Sequence, residues 1–530
     1  MTDSISIAFF DNESFLHNLY IGYGISSLKR IFENIKSTYI NEKNYQSVSS
    51  QIDSKYVLVY LSENKYSLFN KFIECISDDI VLIACHYVPT MFGKEIMESN
   101  KRINYVLFGE IDQTLEEFFN CLINKEPLSK CKGVFSRDGD KILFSGKREL
   151  ITDLDDINFP DRDLFGKNRG IFHVIASRGC DGACTFCDRN YLYKLVCQKQ
   201  RFRSINNVIS EVDYLVDNYN CKFINFADST FCNDSNLEER LLELYEKLLC
   251  KPYWVQFFIN LRIEHISDKT LEILNKLKTV GLGRVFIGIE SFSDKDLHLY
   301  NKQTSSKIIL NSLNKINSLS TVMDDFQLDF EYGFIMFNPY TTVSDLKMNL
   351  KMLEENNIFL NPNMMLSRLV CSSFTPITKK IDSDNLLNDP YHHMNLLEKT
   401  SSDIKYKFKH KETAKIFDAF LMCKNQLSIV IPSNIVYIRN RYYKYFGRDI
   451  YLNRLDDAYL EWEETVSKFC YDICRKIIEM ESAGNSSMQV VNDECATFKN
   501  VLNNLNGKLN TTKNRVMIQL QKINQIIYDK

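Results

Sequence analysis

The residues of this chain whose types and spacing most directly imply chemistry are three cysteines in one short stretch. They stand in the run Ser177-Arg178-Gly179-Cys180-Asp181-Gly182-Ala183-Cys184-Thr185-Phe186-Cys187, a C-x3-C-x2-C spacing. With 16 cysteines in 530 residues, these offsets would arise by chance in roughly 0.014 of such chains, so the motif is specific. Thiolates are soft ligands, suited to iron–sulfur clusters or zinc. Cluster iron normally takes four protein ligands, and three leave one iron open to a small molecule, which an enzyme needs and a structural metal site avoids. The alternative is a zinc site completed by Cys197 or His173.

The elements around this loop are legible from periodicity. Ile171–Ala176 reads as a strand that delivers the chain to the cysteines. Helix, strand and helix then follow in turn: helices at Ile205–Tyr219, Leu237–Leu249, Asp268–Lys278, Lys307–Leu319 and Val343–Glu355, strands at Lys222–Ala227, Trp254–Asn260, Arg284–Ile289 and Gln327–Met336. Five or six βα units in series predict a full or partial parallel barrel, a (βα)6 TIM-type arrangement over 165–385 with its chemistry at the carboxyl ends of the strands. The first 110 residues carry the same alternation in shorter form: Ser6–Phe10, Tyr56–Leu61, Ile80–His86 and Tyr105–Glu110 as strands, with Ile25–Ile35, Leu68–Ile76 and Leu115–Leu122 as helices. That predicts a Rossmann-like open sheet within a 1–150 domain. A small hairpin turning at Asp138-Gly139-Asp140 and an acidic linker around Pro160 come next. Residues 386–530 read as mostly helical, with Ala458–Glu481 and Val501–Lys530 the clearest periodic stretches.

Hydrophobic residues make up 45% of the chain and charged residues 25%, the composition of a folded globular protein. A formal charge of -3 provides no field that would indicate a nucleic-acid or membrane-surface partner. There is no basic start followed by an apolar run and no stretch near the roughly 20 apolar residues a membrane helix needs, so a cytoplasmic protein with reduced thiols is expected.

The phrase SRGCDGACTFC after a first barrel strand resembles the signature of the radical S-adenosylmethionine (SAM) superfamily, and the likeness extends over about residues 170–375. In that family a four-iron, four-sulfur cluster is held by the three cysteines and its open iron is chelated by SAM. One electron breaks a carbon–sulfur bond, and the 5′-deoxyadenosyl radical takes a hydrogen atom from substrate. The resemblance assigns Cys180, Cys184 and Cys187 to the cluster and Phe186 to the adenine. Asp228, in Asn225–Thr230, would meet the SAM amino group, and Arg262, in Asn260-Leu261-Arg262, its carboxylate. Phe286–Ser291 is similar to the family's GIES-like segment, with Gly288 allowing close backbone approach and Glu290 and Ser291 offering polar groups. Tyr332–Thr342 matches the next active-site corner. Each has a competing reading: core for Phe186, a helix cap for Asp228, a surface salt bridge for Arg262.

A Rossmann-like domain followed by an acidic linker and the barrel is similar to the cobalamin-dependent branch, whose front domain holds cobalamin, commonly for methyl transfer and in some members for ring contraction or cyclisation. Two positions depart from it. The Asp-x-His-x-x-Gly motif is absent, because His17 has Phe15 two residues before it and Tyr20 three after. Ala84-Cys85-His86-Tyr87-Val88-Pro89 stands where relatives usually carry paired glycines, and side-chain bulk there opposes a close-lying corrin. His86 is a candidate cobalt ligand or a structural residue.

The resemblance therefore implies cobalamin-linked C-methylation following hydrogen abstraction, on a small-molecule or peptide substrate, with an external electron donor such as flavodoxin or ferredoxin. The alternatives are cobalamin-independent cross-linking, epimerisation or rearrangement and, in another class, a non-catalytic metal-binding interaction protein. In the tail, Lys499, Lys508, Lys513, Arg515, Lys522 and Lys530 face a single acid, Asp529, while Val516, Leu520, Ile523 and Ile527 share one helical face. The competing readings there are a helix packed on the barrel and a docking site for an acidic partner. Cys470 and Cys474, one turn apart without close companions, do not suggest a second cluster.

Overall fold

The computed structural model describes residues 2–10, 23–165, 170–189, 200–320, 326–432 and 434–528. His17 and Cys197 lie outside the described residues. The chain divides into two compact units, residues 1–233 with 370–405, and 234–369 with 406–530.

The first unit contains a seven-stranded sheet. Its strands are β1 (Thr2–Phe9), β2 (Phe32–Tyr39), β3 (Tyr56–Tyr60), β4 (Val81–Cys85), β5 (Tyr105–Leu107), β6 (Val134–Asp138) and β7 (Lys141–Phe144), in the order β2-β1-β3-β4-β5-β6-β7. The strands up to β5 are parallel, while β5–β6 and β6–β7 pair antiparallel. The period of two in a strand explains the double core. Ala8, Val57, Val59, Leu82, Ala84 and Val106 bury one face, and Ile5, Ile7, Phe9, Leu58, Tyr60, Ile83, Cys85 and Leu107 the other. Both faces are covered, as a parallel sheet requires.

Two expectations change here. The stretch Ile25–Ile35 is helical only at its start, and Phe32–Tyr39 forms an edge strand beside β1. The helix Tyr87–Ser99 was not expected, although its Pro89 sits in the first turn, where a missing N–H costs nothing. The hairpin at Asp138–Lys141 is present and extends the sheet.

The same unit carries β8 (Phe172–Val174), β9 (Ser177–Arg178), β10 (Arg201–Phe202) and β11 (Phe223–Phe226). β11 runs parallel to β8, with Ile224 opposite Phe172, and β10 pairs antiparallel with β9. The helix Ile205–Tyr219 between them opens on Ser204, whose hydroxyl accepts the Asn207 N–H, and closes on Asn220 in the left-handed conformation. Residues 370–405 return to this unit: Phe374 joins the core with Tyr87 and Phe92.

The second unit contains β12 (Gln256–Arg262), β13 (Leu282–Glu290) and β14 (Asp329–Phe334), all parallel, with the helix Leu237–Leu249 before them, Asp268–Thr279 and Ser306–Ser320 between them and Val343–Glu355 after them. A further parallel bridge joins Phe337 to Arg368. The expected βα series is borne out, and so is the helical C-terminal region: Lys411–Leu427, Ile435–Phe446, Ile450–Ser482 and Met488–Tyr528. Trp462 is fully buried and donates to Asn506 Oδ1 across the last two helices at 2.9 Å. Val516 and Leu520 of the tail are buried, as the packed-helix reading expects. Among the described residues no helix is long and apolar enough to cross a membrane.

Two residues of this unit lead to predictions. Gly281 enters β13 at φ +124°, and a Cβ there would stand 2.0 Å from the Val255 carbonyl oxygen. Backbone cannot yield as a side-chain tip can, so Gly281→Ala is expected to destabilise the protein by about 3 kcal/mol, measured by urea unfolding. An unchanged midpoint would contradict this geometry.

Glu463, on the helix Ile450–Ser482, is pushed up to about 7 by burial and by Asp329 and Glu464. Its folded value lies above the ordinary 4.5, so the folded state holds a proton that the unfolded chain gives up. The associated stability is complete below pH 4.5 and is lost as pH rises through about 7. Unfolding curves across that window should lose part of their slope in Glu463→Gln, and an identical slope would exclude Glu463 as its source.

Candidate active site

In the first unit the cysteine loop follows β9. Gly179 takes φ +101°, a backbone that L side chains rarely adopt, and so turns the chain into the loop. Cys180, Cys184 and Cys187 are all partly exposed and form no disulfide. The Gly182 N–H points at Cys180 Sγ at 3.3 Å, and the Cys187 N–H donates to the Cys184 carbonyl at 3.3 Å. A backbone donor aimed at sulfur, as the Gly182 N–H is, is of the kind that tunes a cluster. Among the described residues no three His, Cys, Asp or Glu side chains gather to the spacing of a single-ion site. His173, offered as a fourth zinc ligand, has Nδ1 3.1 Å from Asn225 Nδ2. Three partly exposed thiols on one turn are a donor set of the soft kind that iron–sulfur clusters take.

The base of the loop is fixed by charge. Arg178 is 2% exposed and reaches Asp112 through both terminal nitrogens at 2.7 and 3.0 Å and Glu110 at 2.9 Å. Arg201, opposite it on β10, also pairs with Glu110. Planar, bidentate arginine contacts of this kind fix orientation as well as charge. Glu110 and Asp112 follow β5, so the N-terminal sheet holds the cysteine loop from below. The sequence offered a signal, an arginine two residues before the first cysteine, but not its partners.

Asp228 is 1% exposed. Its carboxylate accepts the Ser177 N–H, the Ser177 hydroxyl at 2.6 Å and the Ala176 N–H at 3.3 Å. The structure thus gives Asp228 a positioning task, tying the end of β11 to the start of the loop, where sequence reasoning expected a carboxylate open to SAM. Phe186 lies in the loop, partly exposed rather than in the core. Behind it, the Ile377 N–H donates to the Thr185 carbonyl at 3.1 Å.

At the carboxyl ends of β3 and β4 the first unit carries Ser62, Glu63, His86 and Tyr87. Glu63 is pushed up to about 7 by burial and the charge of Asp188, the residue after Cys187. Tyr87 is raised by burial and by Asp188 and Glu63. The Ser62 hydroxyl is buried without a hydrogen-bond partner. His86 takes φ +89°, a conformation that glycine adopts freely and other residues hold at a cost. Its ring stacks on Tyr60 at 3.8 Å, with Nε2 2.6 Å from the Tyr60 hydroxyl. The glycine-like backbone is therefore kept at the position where glycine was missed, and the imidazole is drawn onto Tyr60. An orphaned hydroxyl and a glycine-type turn at adjoining strand ends fit a corrinoid better than the bulk of Ala84–Pro89 had implied. Ser62 had not been singled out from sequence.

The remaining candidates belong to the second unit. Arg262 is 8% exposed. Its Nε bonds Glu264 Oε1 at 2.6 Å and its Nη2 the Lys302 carbonyl at 2.9 Å, so the salt bridge weighed for it exists but is buried. Register places Arg262 opposite Gly288 and Gly288 opposite Gly333. A Cβ on Gly288 would stand 2.5 Å from Glu290 Oε1 and 3.0 Å from Lys302 Nζ. The glycine is needed because a carboxylate folds back over it. Glu290 itself takes φ +70° and faces Lys302 Nζ at 3.4 Å. Ser291 is fully buried, its hydroxyl donating to Asp296 Oδ2 at 3.3 Å and accepting from the Ser293 N–H at 3.1 Å. Arg262, Gly288, Glu290 and the unanticipated Lys302 thus form one charged group at the carboxyl ends of β12 and β13, and Ser291 supports the turn beneath it.

Residues 174–325 match the family described as the Radical SAM superfamily. The chain is 24% identical over 274 residues to the 4'-phospho-dehydrooxetanocin synthase of Priestia megaterium, a match covering 48% of this chain and 35% of that protein. It thus spans about a third of that relative's length. Among solved structures, the cobalamin-dependent S-adenosylmethionine radical enzyme OxsB with aqua-cobalamin and S-adenosylmethionine bound superposes with a TM-score of 0.71 at 16% identity, over 97% of this chain and 83% of that one. The radical S-adenosylmethionine methyltransferase TsrM from Kitasatospora setae, with cobalamin and a [4Fe-4S] cluster bound, gives 0.62 at 10% identity, over 82% and 90%.

Proposed function

We propose that this chain is a radical SAM enzyme that cleaves SAM at a [4Fe-4S] cluster held by Cys180, Cys184 and Cys187, abstracts a hydrogen atom from substrate and carries out cobalamin-linked C-methylation. The single observation carrying this reading is the loop itself: three accessible thiols at C-x3-C-x2-C spacing, anchored by Arg178 and Asp228, inside the stretch that matches the family. When bound, the cluster supplies the electron that splits the carbon–sulfur bond of SAM, and cobalamin a carrier for the methyl group.

The chain's own residues would do the rest. Phe186 would offer a face to the adenine. Arg262, Glu290 and Lys302 would present paired charges to the amino and carboxylate groups of SAM, with Gly288 leaving backbone accessible between them. Ser62 and the His86 turn would receive the corrinoid at the ends of β3 and β4. A small molecule or peptide is the proposed substrate, and a flavodoxin or ferredoxin the proposed electron donor.

The test is the cobalamin and iron content of protein purified without oxygen after reconstitution with hydroxocobalamin. Stoichiometric cobalamin beside four irons per chain is expected from the [4Fe-4S] assignment. Iron without cobalamin would overturn the methyl-transfer reading in favour of direct radical cross-linking, epimerisation or rearrangement. Protein with neither iron nor 5′-deoxyadenosine formation would overturn both and leave a non-catalytic metal-binding role.

A further inference from the structure

Four buried cysteines meet in the C-terminal helices without any part in the site above. Cys423 lies on the helix Lys411–Leu427, Cys470 and Cys474 on Ile450–Ser482, and Cys495 on Met488–Tyr528. The sulfurs of Cys423 and Cys495 are 3.4 Å apart, across 72 residues of sequence, at 1% and 0% exposure. Among the described residues no three of these thiols close around a single-ion position, so the geometry is that of a pair rather than a metal site.

The two members of the pair differ. The hydrogen bond with Cys423 and the charge of Lys499, one turn further along the helix, hold Cys495 below the ordinary thiol range, against burial and the neighbouring Glu494. Cys423 is raised by the same hydrogen bond, by burial and by Cys470 and Cys474. Two thiols in contact are an arrangement in which one sulfur, once oxidised, is resolved by the other.

We propose that Cys423 and Cys495 form a modification site, a dithiol that hydrogen peroxide converts to a disulfide joining the helices Lys411–Leu427 and Met488–Tyr528. The Cys495 thiolate attacks one peroxide oxygen, the O–O bond breaks, and a sulfenic acid and hydroxide form. Hydroxide takes the proton of Cys423, whose sulfur then attacks Cys495 Sγ and expels the second oxygen as hydroxide. The sulfurs give up one electron each, the peroxide takes both, and the net products are disulfide, one water and one hydroxide. A small oxidant suits thiols this deeply buried, and the sulfurs need to approach by little more than an ångström to reach bonding distance, about 2.05 Å.

The test treats the reconstituted full-length protein with hydrogen peroxide, blocks remaining thiols under denaturing conditions and maps the peptides by mass. A reducible cross-link between the Cys423 and Cys495 peptides is expected, with Cys470 and Cys474 recovered as free thiols. In Cys423→Ser the resolving thiol is gone, and dimedone capture of sulfenic acid at Cys495 should rise about tenfold over wild type. Recovery of Cys423 and Cys495 as fully alkylated as before peroxide would overturn the proposal, and so would a cross-link from Cys495 to Cys470 or Cys474. The wild-type map decides the matter even if the serine variant does not fold.

Discussion

Replacing Cys180, Cys184 and Cys187 together with alanine will reduce reconstituted iron and reductive SAM cleavage to background while leaving the protein folded. The first half follows from the donor set: the proposed site has no other thiols within the loop, and alanine offers no ligand for iron. The second follows from where the loop takes its support. Its anchors are Arg178 on Glu110 and Asp112, Asp228 on Ser177, and the Ile377–Thr185 backbone contact. None of these involves a cysteine side chain. The measurement is 5′-deoxyadenosine formed under dithionite, together with iron content and the circular dichroism spectrum. Wild-type amounts of 5′-deoxyadenosine would refute the assignment of the cysteines.

The second large effect concerns stability. Glu211 is fully buried between two arginines that are themselves buried, with Arg162 Nη2 at 2.6 Å, Arg203 on its other oxygen and the Tyr23 hydroxyl donating at 3.2 Å. Tyr23 is held well above its usual range by burial and then by the charge of Glu211, so it keeps the proton it donates. In Glu211→Ala two guanidinium groups lose their shared counter-charge in a place water does not reach. Removing one partner from such a group costs about 3–5 kcal/mol, a large fraction of the stability of an ordinary domain. Urea unfolding should show the loss. A change below about 1 kcal/mol, the range of exposed pairs, would mean that the cluster is hydrated in solution.

How much of this was legible in the sequence depended on whether the signal was local. Strands such as Tyr56–Tyr60 and Leu282–Glu290 announced themselves because strands buried on both faces are almost continuously apolar. The edge strand Phe32–Tyr39 did not: Ile25, Leu28, Phe32 and Ile35 fall at helical spacing, and only Phe32 of the strand is fully buried. Pro89 and Gly93 hid the helix Tyr87–Ser99, because both discourage helix away from its ends. In the candidate site, the cysteine loop and the Phe286–Ser291 segment each stood out as one short motif. The partners of Arg178 did not, since Glu110 and Asp112 lie 68 and 66 residues away in sequence. Asp228 and Ser291 were found in the sequence as polar groups at strand ends, but their backbone and turn partners, Ala176, Ser177, Ser293 and Asp296, were not.

The pairing of Arg178 and Arg201 with Glu110 and Asp112 bears on how this architecture can change over time. A front domain that only carried a cofactor could be discarded once the cofactor was no longer used. Here its loss would strand two cations at the root of the cysteine loop, so the sheet serves as a foundation for that loop whatever else it carries. The ends of β3 and β4 can therefore vary while the domain itself stays in place beneath the loop.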